Sequence, residues 1–118
     1  MITFTYEGKS DTTRLVQNLA TTSNATMVIP AGFMILDLVI KSTNANAVTG
    51  GLKIGTTNGG TDVVLAVNVA GNSYQVVTDA AMLKRVFSDS VDTTLYVQAV
   101  TLWNSASLDI KFVLRDIR

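Results

Sequence analysis

The chain has 118 residues with 9 basic and 9 acidic side chains, no net charge at pH 7, and neither Cys nor His. A chain of this length predicts one domain, 1–118, that buries about two-thirds of the surface its unfolded form exposes, with no need of a disulfide. The missing Cys and His exclude zinc held by thiolate or imidazole, cysteine nucleophiles, thiol redox chemistry, haem on His and every Ser-His or Cys-His triad, while the balanced charge lacks the basic field that drives nucleic-acid binding.

The opening Met1-Ile2-Thr3-Phe4-Thr5-Tyr6-Glu7 has no basic segment and no continuous apolar run of the kind a secretory signal needs, so it reads as mature protein. Ile2 to Tyr6 and Arg14 to Leu19 read as short strands joined through a turn near Gly8-Lys9-Ser10. Thr26 to Ile29 is a third, and Leu36 to Lys41 alternates with Leu36, Leu38 and Ile40 on one face. The apolar stretch from Met27 to Ile40 is broken by Pro30-Ala31-Gly32 and carries Asp37, well short of the ~20 residues that span a bilayer. Leu52 to Ile54, Val63 to Val67 and Tyr74 to Val77 are further short strands. Asp79 to Phe87 departs from the pattern: Asp79 can cap a short helix over residues 79–85 that runs into a strand near Val86, or the whole stretch continues as strand. Leu95 to Leu102 is apolar on both faces, which predicts a strand covered from both sides or one that meets another subunit. In Leu108 to Arg115, Leu108, Ile110, Phe112 and Leu114 alternate with Asp109, Lys111 and Arg115, the pattern of a half-buried strand.

Between these runs stand Pro30-Ala31-Gly32, Asn44-Ala45-Asn46, Thr57-Asn58-Gly59-Gly60, Gly71-Asn72-Ser73 and Asn104-Ser105-Ala106-Ser107, rich in residues that tolerate turn conformations. With 16 Thr, 8 Ser and 8 Asn, solubility rests on hydroxyls and amides, since only 15% of residues are charged. About nine short strands at spacings of roughly 8–12 residues predict an all-β sandwich or barrel.

The candidate chemistry is sparse. Gly8-Lys9-Ser10 lacks the upstream glycine of a phosphate loop, because Thr3 stands in its place, and the glycine-rich run from Gly50 to Gly60 lacks dinucleotide spacing and a following helix. Asn24-Ala25-Thr26 matches a glycosylation sequon, which bears on an exported eukaryotic chain. Asp89-Ser90-Val91-Asp92 could offer oxygens to calcium but lacks the alternating acids and central glycine of a calcium loop. The general acid–base candidates are Glu7 and the eight aspartates, which read as solvated surface; a carboxylate-only hydrolase would need two of them across one cleft. Neither a cofactor nor a metal is expected. Tyr6, Tyr74, Tyr96 and Trp103 are flat aromatics able to stack on sugar rings, though core or interface positions are their commoner use.

The run Val28-Ile29-Pro30-Ala31-Gly32-Phe33-Met34-Ile35, the run from Ala47-Val48-Thr49-Gly50-Gly51-Leu52 through Gly59-Gly60-Thr61-Asp62, and Leu95-Tyr96-Val97 with Trp103-Asn104-Ser105-Ala106-Ser107-Leu108-Asp109-Ile110 resemble small tailed-phage and prophage virion proteins. These are capsid decoration (head auxiliary) proteins, head fibres and the β-sandwich modules of tail fibres. The resemblance runs from Met27 onward on turn-and-strand patterns and carries no catalytic residues. It implies a jelly-roll-like antiparallel β-sandwich, a homo-oligomer (most often a trimer), and a place on a virion assembled in the host cytoplasm beside proteins such as the major capsid protein.

The residues themselves fit subunit contacts: Leu95, Tyr96, Val97, Val100 and Leu102 offer an apolar surface in a chain poor in charge, and charge is depleted at interface centres. Pairing with other copies would also cover strand edges. A second expectation, from the aromatics, is a carbohydrate-binding module for a host-surface glycan with Trp103 and Tyr74 as its platform. Nucleic acid and membrane are not expected partners.

Overall fold

A computed structural model of the chain describes residues 14–77 and 85–117. Alternate side chains along the strands turn inward, and two sheets bury their inward apolar faces against each other. The strands are β1 (Arg14–Thr21), β2 (Ala25–Ile29), β3 (Phe33–Ser42), β4 (Leu52–Gly55), β5 (Val64–Val67), β6 (Tyr74–Val77), β7 (Thr93–Ala99) and β8 (Leu108–Asp116). They form two four-stranded sheets of order β1-β8-β3-β6 and β2-β7-β4-β5, with every pairing antiparallel. The first strand thus pairs with the last, the second with the seventh, the third with the sixth and the fourth with the fifth. That is a long hairpin rolled into two layers, the jelly roll.

The all-β sandwich expected from sequence is therefore the fold, with eight strands among the described residues where about nine were expected of the chain. Each of the eight strand segments from Arg14 onward forms; the remaining one, Ile2 to Tyr6, lies outside the described residues. The helix expected over 79–85 falls outside them too, apart from Arg85, and no helix occurs among the described residues. Val86, where that helix was to run into a strand, bridges antiparallel to Met34.

The core lies between the sheets. Leu108, Ile110, Phe112 and Leu114 of β8 point inward together with Leu38 and Ile40 of β3, Leu52 and Ile54 of β4, and Leu95 and Val97 of β7, all buried. On β3 the inward set differs from the one read by strict alternation. A bulge between Ile35 and Asp37 shifts the register, so Ile35 pairs with Leu114 and takes the core position while Leu36 is half-buried.

The strand expected over Leu95 to Leu102 is shorter, ending at Ala99. Beyond it the chain turns onto the segment before β4: Val100 N–H donates to Gly51 O (3.0 Å), Thr101 N–H to Thr49 O (3.2 Å), and Thr49 N–H to Leu102 O (2.8 Å). Gly50 and Gly51, at φ 80° and 91°, provide the left-handed backbone that makes this crossing.

Candidate functional site: an uncharged end of the sandwich

Antiparallel winding sends alternate connections to opposite ends of the sandwich. The loops 22–24, 43–51, 68–73 and 100–107 gather at one end, as the register of Thr21 and Ser42 with Leu108 and of Leu52 with Ala99 requires. None of their residues is charged. Lys41, Lys53 and Asp109 lie one step inside the strands, and the connections at the other end carry Asp62, Arg85, Asp89 and Asp92.

Neutral side chains knit the four loops together. Thr43 N–H donates to Ser107 O at 2.8 Å and its hydroxyl to Ser107 Oγ at 2.7 Å. The Asn44 and Asn46 amides both donate to Ser105 O (2.9 and 3.2 Å), and the Asn104 amide to Ala47 O (3.1 Å). Asn72 N–H donates to Asn44 O at 2.7 Å. A Cβ on Gly71 would collide with the Ala45 carbonyl, so this close approach of two loops needs glycine. The last turn has Asn104 and Ser105 at φ 54° and 56°, closed by Ala106 N–H on Trp103 O at 2.9 Å, the I′ geometry that suits the twist of a hairpin.

This turn fixes Trp103. Its indole packs half-buried against the core, and its N–H donates to Asn24 Oδ1 at 2.6 Å, an oxygen that also accepts from Ala99 N–H at 3.2 Å. Beside it Val100 and Leu102 remain 42% and 64% exposed. The end therefore offers amides, hydroxyls and exposed aliphatic surface without a charge to attract ions, a composition suited to a neutral protein surface or a sugar.

The residues singled out in the sequence divide among four places. Leu95 and Val97 are 0% exposed and belong to the chain's own core, so they present nothing to a partner. Tyr96 is half-buried on the outer face of β7, opposite Thr26 and Gly55. Val100 and Leu102 join Trp103 at the uncharged end. Tyr74 lies apart from them across the sheet, opening edge strand β6 just after loop 68–73, 67% exposed with Lys41 Nζ 5.5 Å from its ring centre. Asn24, which orients Trp103, links β1 to β2 at the opposite margin, three strand spacings or about 14 Å away. Tyr74 and Trp103 are not brought together.

Among the carboxylates, Asp62 accepts from Thr56 N–H (2.8 Å) and its hydroxyl (2.5 Å), and Asp92 from Ala31 N–H (3.0 Å). The hydroxyl bond from Thr56 is the main reason the Asp62 carboxyl sits below its ordinary value, with burial opposing it. Asp62 ties down its own loop, and Asp92 ties the connection before β7 to the one between β2 and β3. Among the described residues no three acidic groups meet as a metal-binding cluster.

Sequence reasoning met Asn24 only as a sequon and passed over Gln98, because both act through hydrogen bonds to residues far away in the chain. No protein-family model matches the chain, and neither a curated protein nor a solved structure does.

Proposed function

We propose that this chain is a non-enzymatic structural protein of a tailed-phage virion, a capsid decoration or fibre module that works as a homo-oligomer, most simply a trimer, on the particle surface. The observation that carries the reading is the jelly roll whose four described loops at one end hold no charged residue, where Val100 and Leu102 stand exposed beside Trp103. Jelly rolls recur in viral capsid and lectin domains, an analogy of fold that supports the reading without assigning a role to any residue. The uncharged end supports it more directly: a rigid, hydrogen-bonded surface without charge can be desolvated against another copy or a capsid protein at small cost. Sedimentation equilibrium is the test. An assembly of three chains that persists at micromolar concentration is expected, and a clean monomer would overturn it.

A second reading, a glycan-binding module, has the fixed indole of Trp103 in its favour, held by Asn24 among Asn, Ser and Thr side chains that can bond sugar hydroxyls. With Tyr74 distant, Trp103 alone would serve as the stacking face. A glycan array probed with the wild type and with Trp103→Ala separates the readings: a signal lost in the variant selects the second.

A further inference from the structure

The chain contains one Asn-Gly sequence, Asn58-Gly59, in the loop between β4 and β5. Asparagine before glycine is chemically vulnerable, because the glycine has no Cβ to shield its main-chain nitrogen from the neighbouring side-chain amide. Both residues are exposed. They occupy the centre of a turn closed by Gly60 N–H on Thr57 O at 2.8 Å, with Gly59 at φ 82°, and a Cβ there would meet nothing within 4 Å. Water and hydroxide have free access.

One side chain from another strand engages both reacting groups. Gln98 of β7 accepts the Gly59 N–H on Oε1 at 2.7 Å and donates from Nε2 to Asn58 Oδ1 at 2.8 Å. Its two amide atoms thus hold the nitrogen that would attack and the side chain that would be attacked. We propose that Asn58 is a deamidation site whose rate is set by Gln98 acting as a lock. In the reaction, hydroxide removes the Gly59 amide proton, and the nitrogen bonds to Asn58 Cγ. Water returns a proton to Nδ2 as the Cγ–Nδ2 bond breaks, so that ammonia leaves and a five-membered imide remains. Water then opens the imide at either carbonyl, giving aspartate or isoaspartate. The Gln98 carbonyl opposes the first step by stabilising the protonated nitrogen. Release of the lock places a new negative charge in the loop that holds Asp62, on a chain with no net charge.

The test is peptide mapping by mass spectrometry for isoaspartate after incubation of the full chain at mildly alkaline pH, using the wild type, Gln98→Met and Gln98→Glu. Gln98→Met keeps the size of the side chain and removes both bonds; it is expected to deamidate at Asn58 about tenfold faster, the rate equivalent of one hydrogen bond. Gln98→Glu retains an acceptor for Gly59 N–H and is expected to stay near the wild-type rate. Wild type unfolded in urea is expected to match or exceed Gln98→Met. Asn104-Ser105 in the same samples reports general loosening. A Gln98→Met rate equal to wild type, a Gln98→Glu rate equal to Gln98→Met, or a rise shared equally by Asn104 would overturn the proposal.

Discussion

The Trp103 indole N–H donates to Asn24 Oδ1 at 2.6 Å, fastening the turn between β1 and β2 to the turn between β7 and β8. The same oxygen accepts from Ala99 N–H, so one amide secures the end of β7 and the aromatic ring that follows it. Asn24→Ala is expected to lower stability by about 1 kcal/mol, the usual net worth of such a bond. Its indole, freed to water, should also emit at longer wavelength. Unchanged emission and an unchanged urea midpoint would show that the bond does not hold the ring.

Gly71 tests the contact between the loops that precede β4 and β6. Because any Cβ would run into the Ala45 carbonyl, Gly71→Ala must push the loops apart. A loss of about 1–3 kcal/mol in urea unfolding is expected, as for other overpacked sites. The Asn72 N–H bond to Asn44 O should loosen with it, read as faster hydrogen exchange at Asn72.

Asp62 gives a pH signature. Its folded carboxyl titrates below the ordinary value of 3.8, chiefly through the Thr56 hydroxyl. A lowered folded value means the contribution to stability is complete above that ordinary value and disappears as pH falls through the folded one. The acid limb of a stability profile should therefore flatten in Asp62→Asn relative to wild type. In Thr56→Val, the Asp62 resonance in a carboxyl NMR titration should move up toward the ordinary value. A titration unmoved by that change would remove the hydroxyl as the cause.

Val100 and Leu102 provide the test of assembly. A charge placed in a desolvated interface is costly, whereas at an exposed position it leaves the fold alone. The double change Val100→Asp, Leu102→Asp is expected to convert a sedimenting trimer to monomer with an unaltered circular dichroism spectrum. The same change at Leu65, exposed on edge strand β5, serves as the comparison for a general effect of added charge.

Much of the fold was legible because period-two alternation is a local signal. In β8 every second residue is aliphatic or Phe and the intervening ones are mostly charged, so the inward face could be read directly. In β3 the bulge at Leu36 is unmarked by any glycine, and alternation therefore assigned Leu36 to a position that Ile35 fills. The end of β7 at Ala99 was hidden because what stops it, Thr49 to Gly51, lies far earlier in the chain. The apolar second face expected for that strand resolves into half-buried Tyr96 and Gln98, the latter bonded to the Asn58-Gly59 turn. The uncharged loops were visible one by one as runs of Asn, Ser and Thr. That they meet at one end follows from the pairing order, which no single segment records.

That pairing order also governs when the protein can be finished. β1 is aligned with β8 from Arg14↔Arg115 to Thr21↔Leu108, and β2 with β7, so on the ribosome β1 and β2 wait for β8 and β7, which are made well after them. The β4–β5 ladder can close locally, and each later ladder encloses the ones before it at a rising cost in loop entropy. Until β8 emerges, β1 and β3 have no central strand between them, and the apolar faces of Leu38 and Ile40 lack Phe112 and Ile110. A chain on the ribosome is thus most vulnerable to aggregation before β8 is made, and cooperative closure of the sandwich depends on that strand.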